Sequence, residues 1–117
     1  MSYYKIKSYA KLNLALNIVA KDNSLHKIES IIAFANLHDI IWIKKIRSNK
    51  HLISFSGKFS NNINKKNTIF RLLEILEKRK ILKNKKFQIK IKKQIPSKAG
   101  LGGGSMNAAS ILNFFVK

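Results

Sequence analysis

The chain has 117 residues, 45% of them hydrophobic, with 24 Lys and Arg against 5 Asp and Glu, for a formal net charge of +19. That length suffices for one modest domain with a buried core, and the absence of cysteine excludes a disulfide framework or a thiolate metal site and suits a reducing cytosol. Residues 1–7 run straight into a charged strand pattern rather than an apolar leader, and no apolar run approaches the ~20 residues a membrane span requires, so a cytoplasmic setting without a membrane partner is expected.

In chain order the pattern is α+β, without repeats and without an internal linker rich in Pro, Gly or Ser. Leu12, Leu14, Leu16 and Ile18 alternate with Asn13, Ala15 and Asn17, the period of a half-buried strand, and Asp22-Asn23-Ser24 supplies turn chemistry after it. Residues 28–35, 40–46 and 52–55 have the Ile-rich, aromatic character of further strands. Residues 61–66 read as a polar loop and Asn67 as a helix N-cap. Ile69, Leu72, Leu73 and Leu76 then fall at helical spacing, with Arg71, Glu74, Glu77 and Lys78 on other faces. Phe87, Ile89 and Ile91 alternate with Gln88, Lys90 and Lys92, so a last strand leads through Lys93-Gln94-Ile95 into a glycine-rich stretch. The expected architecture is a mixed sheet with helices on one face.

That stretch is Pro96-Ser97-Lys98-Ala99-Gly100-Leu101-Gly102-Gly103-Gly104-Ser105-Met106-Asn107-Ala108-Ala109, and it holds four of the five glycines. Strand, glycine loop, helix is the order a phosphate site needs. Glycines let successive amides turn inward, and a helix starting near Ser105 adds unpaired N–H groups and a positive dipole end. It is neither a Walker A loop, which requires Gly-Lys-Ser/Thr, nor a dinucleotide fingerprint, whose glycines follow the first strand of a βαβ unit. A flexible linker would continue in Ser and Gly, whereas this one runs into Ala108-Ala109-Ser110-Ile111-Leu112.

Pro-x-x-Ala-Gly-Leu-Gly-Gly-Gly-Ser-x-Asn-Ala-Ala resembles the nucleotide-phosphate motif of the galactokinase, homoserine kinase, mevalonate kinase and phosphomevalonate kinase superfamily. Within it, the triple glycine is most similar to the family of kinases acting on cytidine-diphosphate-linked methylerythritol in the non-mevalonate isoprenoid pathway. Two earlier segments agree: Ala10-Lys11-Leu12-Asn13-Leu14 is similar to the family's opening strand, and Leu25-His26-Lys27-Ile28-Glu29-Ser30 to its Tyr-His-x-Leu-x-Ser/Thr segment. The resemblance implies the superfamily's N-terminal domain, a sheet-and-helix arrangement also found in ribosomal proteins. It also implies ATP with Mg²⁺ as the phosphoryl source and a small-molecule alcohol as substrate.

By the same resemblance Lys11 lies beside the substrate hydroxyl and the transferring phosphoryl group, where an ammonium stabilises phosphoryl oxygens and favours deprotonation of the hydroxyl. Asn13, on the same strand face, bonds the polyol, and His26 lies against the cytosine ring. Leu25 stands where the family has Tyr and cannot stack in its place. Residues 96–106 hold the nucleotide phosphates, Ser105 touches Mg²⁺, and Ser105 also reads as an ordinary helix N-cap. Lys98 either reaches the phosphates or is solvated. His38 and His51 have no matching role and read as surface or structural residues.

The family's catalytic aspartate lies downstream of its glycine loop. Asp22, Glu29, Asp39, Glu74 and Glu77 are assigned by pattern to turns, strand ends or the helix surface, and no motif brings one to the loop. The kinases the chain resembles are more than twice as long, so residues 1–117 are expected to be an incomplete N-terminal domain, without the second domain and without turnover alone. Two alternatives stay open: a sister kinase acting on another alcohol, and a basic nucleic-acid-binding α+β domain. Against the latter, lysines are spread over nearly every segment, Arg is scarce, and Lys, Asn and Ile share AT-rich codons, so nucleic-acid binding is expected only non-specifically.

Overall fold

Isoleucine at every second position builds the sheet. The computed structural model describes residues 2–10, 36–57, 63–95 and 103–117. Strands β1 (Tyr4–Tyr9), β2 (His38–Ile46), β3 (Leu52–Ser56) and β4 (Lys86–Lys92) form a mixed sheet in the order β1-β2-β4-β3. The β1/β2 and β2/β4 pairs are antiparallel, and β3/β4 is parallel. The register sets Ile6, Ile41, Ile91 and Phe55 in one row across the sheet and Ile43, Ile89 and Ile53 in the next. Because side chains alternate along each strand, both rows face the same side, and that side is the core.

Helix α1 (Ile63–Lys78) connects the parallel strands β3 and β4, and α2 (Gly103–Val116) follows β4. Ile69, Leu73 and Leu76 of α1 and Ile111 of α2 are buried against the isoleucine rows, so among the described residues both helices lie on one face, as the sequence predicts. Leu72, Phe114 and Phe115 close the margin of this core. The strands expected at 12–18 and 28–35 lie outside the described residues.

Two helix starts differ from expectation. Residues 63–66 belong to α1 rather than to a polar loop, and Asn67 is inside the helix rather than at its N-cap. Lysine is a good helix former, so a run that lacks an apolar stripe still supports a first turn once the later turns are packed. α2 begins at Gly103, so Ser105 is its third residue and not its N-cap. Glycine costs least in a first turn, whose N–H groups have no intrahelical partner to lose.

Two backbone features complete the frame. α1 ends with Lys80 N–H donating to Glu77 O and Ile81 N–H to Leu76 O, and Lys80 takes the left-handed φ of 60° that this helix stop requires. Gly57, directly after β3, has φ +95°, and a Cβ there would stand 2.5 Å from the carbonyl oxygen of Lys93. Lys93 N–H donates to Ser56 O at 2.7 Å, so glycine is what lets β3 extend its contact beyond the end of β4.

Candidate phosphate-binding site

The core alternation of β4 does not stop with its last isoleucine. Lys93 is the next residue in phase and is 1% exposed, while Asp39, in phase with Ile41 and Ile43 on the neighbouring strand, is fully buried. The β2/β4 register, which pairs Ile40 with Lys92, brings these two together one step further on. Asp39 Oδ2 accepts from the Lys93 ammonium and from Asn107 Nδ2 at 2.9 Å. Its Oδ1 accepts from the amides of Gln94 and Ile95 at 2.6 and 2.9 Å. Buried charges destabilise a fold by several kcal/mol unless they are paired and hydrogen-bonded, and here both carboxylate oxygens are.

Around this carboxylate several segments meet. β1 lies beside it through the Ser8 and Asp39 pairing, and Ser110 of α2 donates to buried Ser8 at 3.0 Å. Asn107 and Ser110, one helical turn apart, thus fasten α2 to β2 and β1. Ala10, the residue before Lys11, donates to Leu37 O at 2.9 Å and packs with Leu37 and Ile95, the residue before Pro96. The chain therefore leaves toward Lys11 and toward the glycine stretch from one small apolar cluster.

The first turn of α2 is Gly103-Gly104-Ser105-Met106, with no acidic residue in it. Its N–H groups carry the positive end of the helix dipole, a donor set suited to phosphate oxygens. The anionic Asp39 does not spoil that field, because Lys93 neutralises it and three further N–H donors saturate it. Asn107 Oδ1 is the buried side-chain polar atom left without a partner among the described residues.

Of the residues predicted from sequence, Gly103, Gly104, Ser105 and Met106 lie in this turn. Lys11, Asn13, His26, Pro96, Ser97, Lys98, Ala99, Gly100, Leu101 and Gly102 lie outside the described residues. Asp39 lies at a strand end, as the pattern predicts, and from there it is bonded to residues on both sides of the glycines, which no motif in the sequence indicated. The signal was present, since an Asp in phase with Ile41 and Ile43 and a Lys in phase with Ile89 and Ile91 are opposite charges on core positions. Only the strand register says that they meet.

A second polar cluster holds β4 to the end of α1. His51, which is buried, accepts the Phe87 amide at Nδ1 (3.0 Å), so its proton sits on Nε2 and is donated to Glu77 Oε1 at 2.8 Å. Lys86 donates to the same oxygen. The Lys86 bond, opposed by partial burial and reinforced by His51, holds the Glu77 carboxyl below the usual carboxylate range. His51 is thus structural, as expected, whereas Glu77 is a partly buried acceptor rather than a plain surface residue.

Comparison with known proteins adds the relatives. Residues 67–117 match the family described as GHMP kinases N terminal domain, the superfamily of the glycine motif. Over 117 residues the chain is 59% identical to the 4-diphosphocytidyl-2-C-methyl-D-erythritol kinase of Pelagibacter ubique (strain HTCC1062), covering all of this chain and 42% of that protein. Proteins of the same name from Finegoldia magna (strain ATCC 29328 / DSM 20472 / WAL 2508) and Anaplasma marginale (strain Florida) are 40% and 38% identical, over 94% and 100% of this chain and 39% and 40% of their own lengths. The chain spans about two fifths of the curated relatives it matches. No solved structure matches it.

Proposed function

From the match of residues 67–117 to the family described as GHMP kinases N terminal domain, we propose that the chain is the N-terminal part of an ATP-dependent kinase. It phosphorylates a hydroxyl of the cytidine-diphosphate-linked methylerythritol for which its relatives are named, in the non-mevalonate isoprenoid pathway and in the cytoplasm. The observation that carries this reading is the convergence at one end of the sheet. The acid-free first turn of α2, the exit of β4 toward Pro96 and the exit of β1 toward Lys11 surround one saturated carboxylate.

In this reading residues 96–106 bind the phosphates through the backbone N–H groups that follow Pro96, and the Ser105 hydroxyl contacts the Mg²⁺ carried on them. Mg-ATP supplies the transferable phosphoryl group. Lys11 stabilises charge on the phosphoryl oxygens and lowers the cost of deprotonating the attacking hydroxyl, Asn13 orients the polyol, and His26 meets the cytosine. The close packing of Ala10 on Ile95 supports the pairing of Lys11 with the glycine stretch, since each is one residue removed from the next motif.

The test is binding. Titrating the purified chain with Mg-ATP while following backbone amide resonances is expected to shift residues 100–107 and, at a hundredfold excess over Kd, to add about 2.7 kcal/mol of stability. Gly103→Asp, which sets a carboxylate at the positive end of α2, should abolish both effects. Resonances that stay put at high Mg-ATP, or that move equally in Gly103→Asp, would overturn the kinase reading. A cytidine nucleotide that protects the chain independently of Mg-ATP separates this substrate from those of sister kinases.

A further inference from the structure

We propose that Asp39 is a positioning residue for the phosphate site, holding both flanks of the glycine stretch to one buried carboxylate. This rests on the function proposed above. The upstream flank is held by the Gln94 and Ile95 amides on Oδ1, and the downstream flank by Asn107 Nδ2 on Oδ2. Bringing two separated points of a chain together has an entropic cost that otherwise falls on the binding event. Here the strand end and the helix start are already joined before any ligand arrives.

The choice of groups fits that role better than it fits plain stability. Apolar residues of similar volume would fill the space between β2, β4 and α2 at equal or better stability than a buried ion pair. They could not accept two successive main-chain amides at the very point where β4 gives way to Pro96. Nor could they fix the amide of Asn107: bonding of Nδ2 to Asp39 leaves Oδ1 as a buried acceptor with no protein partner among the described residues. Lys93, fully enclosed beside the carboxylate, removes the negative charge that would otherwise repel phosphate from the neighbouring first turn of α2.

The experiment compares three variants of the whole chain by calorimetric titration with Mg-ADP, at a temperature where near-ultraviolet circular dichroism of Trp42 shows each to be folded. Asp39→Asn keeps the size of the side chain and is expected to weaken Mg-ADP binding about tenfold through lost preorganisation. Asn107→Ala releases only the downstream flank, leaves Asp39 paired with Lys93, and is expected to weaken binding about threefold; it decides the matter if Asp39→Asn does not fold. Leu73→Ala, in the core away from the site, lowers the melting temperature but should leave Kd within about twofold, which separates positioning from general destabilisation. If the unmodified chain binds Mg-ADP and both Asp39→Asn and Asn107→Ala bind it as tightly, the positioning role is wrong while the phosphate site stands. If Leu73→Ala loses affinity as they do, their loss is only structural and the role is again wrong. If the unmodified chain does not bind, the phosphate reading fails and takes this inference with it.

Discussion

Glu77 shows how one side chain couples α1, β4 and the residue that precedes β3, and how that coupling is read by pH. Lys86 and His51 both donate to Oε1, and the resulting depression of its pKa means that the folded state holds the carboxylate more strongly than the unfolded chain does. That contribution is complete above the ordinary carboxylate range, near ~4.3, and is lost as pH falls through the depressed folded value. Replacing Glu77 by Gln should therefore lower stability at neutral pH yet flatten the acid limb of the stability curve between about pH 5 and pH 3. Urea midpoints measured across that range check it, and parallel curves for the two proteins would rule it out. Asp39 differs in kind: its four donors come from Lys93, Gln94 and Ile95, directly after β4, and from α2, so its removal loosens a junction rather than a single pair.

At the scale of elements, the contact between the end of β3 and the extension of β4 depends on Gly57. An alanine there must adopt φ +95° and push its Cβ against the Lys93 backbone, neither of which a side-chain rotation relieves. Gly57→Ala is expected to destabilise the fold by about 2 kcal/mol or more, measured as a shift of the urea midpoint at unchanged slope. A loss below half that amount would mean that β3 can draw away from Lys93 at little cost. The helices illustrate the limits of pattern reading at their ends. The stripe of Ile69, Leu73 and Leu76 identifies α1, but its first turn is lysine- and asparagine-rich and shows no apolar face by which to recognise it. The same holds for α2, whose start at Gly103 follows from the packing of Ile111 and the fastening of Asn107 and Ser110 rather than from any preference of glycine for helices.

For the whole molecule, a net charge of +19 draws any polyanion, and the expected signature separates that attraction from a phosphate site. Binding of single-stranded DNA should fall by orders of magnitude between about 50 and 200 mM salt, because each neutralised phosphate releases counterions, and it should hardly respond to Gly103→Asp. Mg-ATP binding should show the reverse pattern. Tight DNA binding that survives high salt would favour a nucleic-acid function over the kinase. Among the described residues, the strands around 40–46, 52–55 and 87–91 and the two helices after them were legible in the amino-acid order, because burial imposes a period of two or of 3.6 on the apolar residues of each element. The glycine stretch was legible because few other chemistries call for small residues between a strand and a helix. What the order of residues could not disclose was the junction behind that stretch. Asp39, Lys93 and Asn107 are far apart in the chain, and a carboxylate looks the same on paper whether solvated or buried. Only the antiparallel register of β2 with β4, and the seating of α2 across them, brings three polar groups to one dry point where each must satisfy the others.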